Sequence, residues 1–80
     1  MERSDILAKV VSLTADELEA DAAGLDESTE FKSLGADSFD LLELVTAFEE
    51  EFATTMDDDA LQGIETIGDA VDAIASVLGA

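Results

Sequence analysis

The sequence predicts an all-α protein, a small four-helix bundle with three longer helices, one short helix and a long loop between helices one and two. Three observations predict it. Apolar residues recur at helical spacing in three separate stretches, no stretch alternates apolar and polar residues as a strand does, and the 80 residues include no proline. A chain of this length can bury one modest core, so we expect a single domain over residues 1–80.

The first helix is expected to begin at Ser4, whose hydroxyl can cap it. Its buried face then comprises Ile6, Leu7, Val10, Val11 and Leu13. Thr14 and Glu17 have the spacing of a capping box, so we expect a second short turn to start at Thr14 and to carry Leu18.

Residues 24–37 lack periodicity and predict a long loop, held to the core by Phe31 and Leu34. Loops of this length are uncommon in small domains unless function requires them. Helix two is expected over residues 38–52. Its apolar face comprises Leu41, Leu42, Leu44, Val45, Phe48 and Phe52, and the opposite face Asp40, Glu43, Glu50 and Glu51.

The three aspartates at 57–59 can start a short third helix that holds Leu61 and ends near Gly63. Thr66 and Asp69 form a further capping box, which predicts the start of the last helix. The apolar stripe of that helix comprises Ile67, Val71, Ile74, Val77 and Leu78.

Composition excludes several classes of function. The chain sets 21 acidic residues against Arg3, Lys9 and Lys32, and its formal net charge of −18 repels nucleic acid and anionic lipid, so partners should be basic proteins. It has no cysteine and no histidine, which excludes disulfides, thiolate or imidazole metal sites, and Ser-His or Cys-His catalysis. No apolar run approaches the ~20 residues of a membrane span, and no targeting signal is recognisable. We expect a cytoplasmic monomer that does not insert into membranes.

Ser38 is the residue that can carry chemistry. It follows a glycine-containing turn at the expected start of helix two, where a serine commonly serves as the N-cap. The chain supplies no base to activate its hydroxyl, so a reactive Ser38 would have to be modified by another protein. An anion attached there would meet free backbone N–H groups at the positive end of the helix dipole, opposed in part by Asp37 and Asp40.

Residues 35–52 read Gly-Ala-Asp-Ser-Phe-Asp-Leu-Leu-Glu-Leu-Val-Thr-Ala-Phe-Glu-Glu-Glu-Phe. This segment resembles the phosphopantetheine attachment segment of bacterial acyl carrier proteins, which commonly reads Gly-Ala-Asp-Ser-Leu-Asp, then Glu-Leu-Val, then Glu-Glu-Glu-Phe. Residues 67–74 resemble the last helix of the same family. The resemblance covers most of residues 30–78.

The resemblance implies that Ser38 carries a covalent 4′-phosphopantetheine taken from coenzyme A, whose thiol holds acyl groups as thioesters. It implies a carrier without catalytic residues, acted on by a phosphopantetheinyl transferase and by basic-surfaced acyl-transfer and fatty-acid synthesis enzymes. The lack of cysteine fits this reading, because no thiol of the chain itself competes with the arm.

The resemblance also implies a use for the acidic face of helix two. Charges opposite a core stripe are usually only solvated, but residues 33–80 contain no lysine or arginine, and a field of one sign destabilises a fold. The expected contacts for partner enzymes are Asp37, Asp40, Glu43, Glu49 and Glu50. Phe39 and Thr46 project beside this face, and Phe39 either packs on the loop or contacts partners directly.

In the family, the core also opens to receive the acyl chain. The residues that would line it here are Phe31, Leu44, Val45, Phe48, Ile64 and Val71. Some departures from the commonest pattern bear on the pathway: Phe39 replaces leucine, as in D-alanyl carrier proteins, and Phe31 lies where many polyketide carriers have it. A polyketide or D-alanyl carrier with the same Ser38 chemistry is therefore the alternative to a fatty-acid carrier.

A rival of another class is an unmodified acidic protein-interaction or cation-binding domain. The aspartates at 57–59 suggest calcium, but an EF-hand loop starting at Asp57 would place Ala60, Leu61 and Gln62 where oxygen ligands and glycine are needed. We therefore predict no dedicated metal site. Weak cation binding to the acids would still relieve their repulsion.

Overall fold

The computed structural model describes residues 2–56 and 62–79, and this part of the chain is helical as predicted. The helices are α1 (Arg3–Leu18), α2 (Ser38–Phe52) and α3 (Ile67–Leu78), with 3₁₀ helices at Ala22–Gly24 and Phe31–Leu34. The predicted all-α class is confirmed. The short helix predicted from Asp57 through Leu61 lies outside the described residues. None of the helices within them combines the length and apolar character needed to cross a bilayer.

One core forms where α1 packs against both α2 and α3. Its largest fully buried apolar side chains are Phe31, Phe48, Ile6, Leu44, Ile67, Ile74, Val10 and Val71. Leu42 was expected on the buried face of α2 but is 51 % exposed. It lies about 100° around the helix from Leu41, at the edge of the stripe that faces the core.

The start and the continuity of α1 differ from expectation. Glu2, not Ser4, is the N-cap residue, and it makes no side-chain capping bond. The helix continues through Thr14 to Leu18 instead of restarting there. Thr14 is completely buried, so packing of this turn against the core outweighs the local capping pattern.

The segment between α1 and α2 is tied to the start of α3. Glu30 and Thr66 form one antiparallel bridge, and the Phe31 N–H donates to the carbonyl of Glu65 at 3.0 Å. These bonds hold Phe31 in the core, where it is 1 % exposed, so its predicted role as an anchor is confirmed. The segment is less irregular than expected because it contains a 3₁₀ helix, whose single turn leaves no periodic signal in sequence.

α3 begins with the predicted capping box. The Asp69 N–H donates to Thr66 Oγ1 at 3.1 Å, and the Thr66 N–H donates to Asp69 Oδ2 at 3.1 Å. Backbone hydrogen bonds from Glu65 and Thr66 to the carboxylate lower the pKa of Asp69. Within the same turn, Gly68 approaches the loop so closely that a Cβ would lie 2.9 Å from the Glu27 carbonyl oxygen.

Candidate functional site

A sharp turn at Gly35 brings the chain to the start of α2. Gly35 has φ of 84°, in the left-handed region that glycine adopts at little cost. Its N–H donates to the carbonyls of Lys32 and Phe31, which closes the 3₁₀ helix. Ala36 is then buried, and Ser38 emerges at the surface as the first residue of α2.

Asp37, not Ser38, caps α2. The Asp37 carboxylate accepts a hydrogen bond from the Asp40 N–H at 3.0 Å, and the Asp40 carboxylate accepts one from the Asp37 N–H at 3.2 Å. Of the two roles that its position left open to Ser38, this reciprocal pair gives the N-cap to Asp37. The Ser38 side chain is exposed, and its hydroxyl has no hydrogen-bond partner among the described residues.

The same capping box reduces the number of free backbone donors beside Ser38. The N–H groups of Asp37 and Asp40 are satisfied by carboxylates, and that of Leu41 donates to the Asp37 carbonyl at 3.0 Å. Within the described residues, the N–H groups of Ser38 and Phe39 remain available to an anion on the Ser38 oxygen.

A groove opens beside Ser38. Its first part, of about 310 Å³, is lined by Lys32, Ser38, Leu41, Gln62, Ile64 and Glu65. A second part, of about 130 Å³, shares Lys32, Leu41, Ile64 and Glu65 and extends to Glu30 and Phe31. A group bonded to the Ser38 oxygen would therefore start at the mouth of an open groove with two apolar walls, Leu41 and Ile64.

The exposed side of α2 carries apolar and acidic side chains together. Phe39 is 66 % exposed, so the structure does not bury it against the loop, and Leu42 lies near it in sequence on the solvent side. Thr46 is exposed as well, and its hydroxyl donates to the Leu42 carbonyl at 3.0 Å. The exposure of Leu42 was missed because helical spacing placed it on a broad apolar face whose edge is exposed.

The five acids expected to contact partners have different surroundings. Asp37, Glu43 and Glu50 are exposed, and Asp40 is half-buried in the capping box. Glu49 is half-buried too, and its carboxylate accepts a hydrogen bond from the Met56 N–H at 2.7 Å. Glu49 therefore also holds the chain that follows α2 against the helix.

Glu43 faces a second carboxylate across the α1–α2 contact. Hydrogen bonding with the Glu17 side chain, then desolvation, then the negative charges of Glu17, Asp40 and Asp37 raise the pKa of Glu43. The two carboxyl groups can share a proton in acid and repel each other when both are ionised. In the described part of the chain, no group of three acidic residues is placed to hold a metal ion.

The six residues expected to line an acyl cavity are all buried. Phe31 and Ile64 border the groove beside Ser38, whereas Leu44, Val45, Phe48 and Val71 belong to the core cluster behind it. Sequence reasoning missed Lys32 at this groove, because the irregular segment around it gave no indication of where its side chain would lie.

A family model described as a phosphopantetheine attachment site matches residues 8–74, which include the whole of α2 and the groove. The chain belongs to the phosphopantetheine-attachment family. Its relatives in that family include the acyl carrier protein of Phenylobacterium zucineum, 47 % identical over 78 residues that cover 96 % of this chain and 99 % of the relative. The acyl carrier protein of Caulobacter vibrioides is 49 % identical over 69 residues, 85 % of this chain and 88 % of the relative.

Solved structures of the phosphopantetheine-attachment family share the fold. The acyl carrier protein of Thermotoga maritima superposes with a TM-score of 0.84 at 35 % identity, covering 99 % of this chain and 93 % of that one. The acyl carrier protein of Enterococcus faecalis gives 0.79 at 35 % identity, covering 96 % and 99 %.

As a member of the phosphopantetheine-attachment family, the chain is a carrier and not an enzyme, and it bears a covalently attached 4′-phosphopantetheine. The chemistry of the site fits such an arm. Ser38 offers an exposed hydroxyl, and the adjoining groove is open. Over residues 2–56 and 62–79, neither this hydroxyl nor the two backbone N–H groups beside it have a hydrogen-bond partner.

Proposed function

We propose that Ser38 is the attachment residue and that the chain, a single domain over residues 1–80, is a cytoplasmic carrier of acyl groups for fatty-acid synthesis. The observation that carries the proposal is the exposed Ser38 hydroxyl at the mouth of the groove, which has no hydrogen bond to any residue that the structure describes because Asp37 caps the helix. When bound, the arm supplies a terminal thiol that holds an acyl group as a thioester.

The attachment step itself needs a second protein. The Ser38 oxygen forms a new bond to phosphorus, the pyrophosphate bond of coenzyme A breaks, and adenosine 3′,5′-bisphosphate leaves with the bonding electrons. The hydroxyl proton must go to a base, and the carboxylates beside Ser38 are already held in the capping box. A phosphopantetheinyl transferase therefore supplies the base as well as the donor.

Intact mass spectrometry tests the attachment. We expect incubation of the apo protein with coenzyme A and a broad-specificity phosphopantetheinyl transferase to add one phosphopantetheine. Ser38→Ala should abolish the addition, and Ser33→Ala, at an exposed serine five residues earlier, should leave it intact. An addition that survives Ser38→Ala would refute the assignment.

We also propose that the exposed side of α2 is where partner enzymes with basic surfaces bind. Glu43 and Glu50 supply charge, and Phe39, Leu42 and Thr46 supply an exposed strip that such a partner can cover. Asp37, Asp40 and Glu49 add negative charge at the edges while they hold the helix ends. The chain would make these contacts as a monomer, which sedimentation of the holo protein can check.

Charge variants test this surface. Association with the transferase should weaken as salt rises, and Glu50→Gln should slow it more than Glu19→Gln, a loss of the same charge at an exposed position beyond α1. Equal effects of the two variants would show that only the net charge matters and would remove the binding role of α2.

Reconstitution tests the pathway. The holo protein should accept malonyl groups and support chain elongation when it replaces the carrier in a purified bacterial fatty-acid synthase system. Loading with D-alanine by a D-alanyl carrier ligase, without malonyl transfer, would reassign the pathway and leave the role of Ser38 unchanged.

A further inference from the structure

We propose that Lys32 binds the phosphate of the arm and thereby directs the arm into the groove beside Ser38. The inference rests on the proposed attachment at Ser38. It adds a binding residue that lies before α2, on a segment of the chain separate from the acidic surface of that helix.

The three basic residues of the chain are used differently. Arg3 pairs with two acids, one in the loop and one on α3, and Lys9 pairs with Glu51 at 3.1 Å. Both of these residues connect α1 to other parts of the fold. Lys32 forms no ion pair with any residue that the structure describes, and it is exposed. No ion pair of Lys32 therefore contributes to the stability of the described fold.

Lys32 is also placed where the phosphate must be. It lines both parts of the groove, and it shares the first part with Ser38. A phosphate esterified to Ser38 is fixed within one bond of that oxygen, at the mouth of the groove. Lys32 and Ser38 line the same opening, and the flexible four-carbon stem of lysine lets its ammonium group turn towards an anion there.

The acidic residues around the groove would repel the phosphate of the arm, so a nearby cation is needed to hold it there. Glu30 and Glu65 line the groove, and Asp37 and Asp40 lie beside Ser38, so without compensation a phosphodiester would be repelled towards solvent. Lys32 is the only basic residue between positions 10 and 80. Pairing with Lys32 offsets this repulsion, and the rest of the arm can then lie along Leu41 and Ile64.

The carboxylates of Glu30 and Glu65 are the competitors for Lys32. They line the same groove, yet neither forms an ion pair with it. A phosphate tethered at Ser38 has the advantage of a high effective concentration, because its position is set by a covalent bond. The arm should therefore displace any transient contact of Lys32 with these acids.

Nuclear magnetic resonance of the holo protein tests the proposal. Its readouts are the chemical shift of the single phosphorus atom and the NOEs between the geminal methyl groups of the arm and the methyl groups of Leu41 and Ile64. The variants are Lys32→Gln, Lys32→Arg and the matched control Lys9→Gln, which removes the same charge from α1. Modification is first verified by mass, so failure of attachment at Ser38 is recognised separately.

We expect the NOEs in the wild type, Lys32→Arg and Lys9→Gln, and their loss in Lys32→Gln together with a change in the phosphorus shift. Added NaCl should move the wild-type phosphorus shift towards that of Lys32→Gln, because salt screens a partly exposed ion pair. NOEs that persist in Lys32→Gln, that are absent from the wild type, or that are lost equally in Lys9→Gln would each overturn the proposal.

Discussion

Two adjacent residues divide the capping of α2 from the provision of an exposed hydroxyl, although one serine could have been used for either. Serine is a favoured N-cap, but a hydroxyl that caps a helix is turned onto the backbone. Here Asp37 and Asp40 satisfy each other's N–H groups, and the Ser38 oxygen stays exposed. The two carboxylates thus support the start of α2 and leave the serine free to be modified.

Substitutions at these adjacent residues should therefore act on different properties. We expect Asp37→Ala to lower the free energy of unfolding by about 1 kcal/mol, because the Asp40 N–H loses its acceptor. Ser38→Ala should change it by less than about 0.5 kcal/mol. Asp37→Asn, which retains a capping oxygen, is the control. Urea denaturation of the three variants measures this, and an equal loss in Ser38→Ala would restore the serine as the cap.

Individual residues also show where sequence reasoning stops. The attachment serine and its neighbours were predictable because the motif is local and contiguous. The prediction of a new turn at Thr14 was wrong, although the capping pattern is present in the sequence. The residue is completely buried within a continuous α1, where its hydroxyl has no partner among the described residues. Lys32 could not be placed at all, because its position depends on long-range bonds such as the Phe31–Glu65 pair.

At the scale of the element, α2 is the best predicted part of the fold. Its observed bounds, Ser38–Phe52, match the expected residues 38–52 because the apolar periodicity runs over the same residues as the helix. What periodicity could not give was the width of the buried stripe, so Leu42 was assigned to the wrong side. It also could not show that Glu49 bonds to a residue beyond the helix.

Substitution of two adjacent glutamates of α2 can distinguish the effect of a lost hydrogen bond on stability from the effect of a lost charge. We expect Glu49→Ala to lower the free energy of unfolding by about 1.5 kcal/mol, because the Met56 N–H loses a charged acceptor. Glu50→Ala removes the same charge from an exposed site and should change stability by less than about 0.5 kcal/mol. Midpoints of urea denaturation measure both, and equal midpoints would mean that the Glu49 bond contributes nothing in solution.

The contact between α1 and α2 should make stability depend on pH. The pKa of Glu43 is raised in the folded state, so over the window between its unfolded and folded values the native protein binds more protons. Its contribution is therefore favourable in acid and is lost as pH rises through the folded pKa.

Glu43→Gln tests this sign. The amide keeps a donor for Glu17 and cannot ionise, so the variant should be more stable than the wild type at neutral pH. The difference should disappear below the ordinary glutamate pKa of about 4.3. Thermal unfolding across this range measures it, with the exposed Glu50→Gln as the control. A variant that is less stable than the wild type at neutral pH would contradict the shared-proton contact.

At the scale of the whole molecule, the chain carries a net charge of −18, and the fold extends over only 29 × 24 × 20 Å. Arg3 and Lys9 are both on α1 and pair with acids of neighbouring segments, so positive charge is used where α1 meets the rest of the fold. The other side, with α2 and the groove, is left negative apart from Lys32. Such a distribution favours approach of basic partners at a cost in stability.

That cost should be visible as a salt dependence of unfolding. At ~0.01 M ionic strength the Debye length is ~30 Å, as long as the molecule, so the acids repel one another across its whole length. At ~0.15 M it is ~8 Å, and only neighbouring charges interact. Because unfolding moves the charges apart, we expect the melting temperature to rise with NaCl over this range. The double variant Glu19→Gln/Glu50→Gln should start higher and rise less. Magnesium chloride at matched ionic strength should raise it further if cations accumulate at the acids. A melting temperature that stays constant or falls with salt would show that the paired cations on α1, and not the repulsion, control stability.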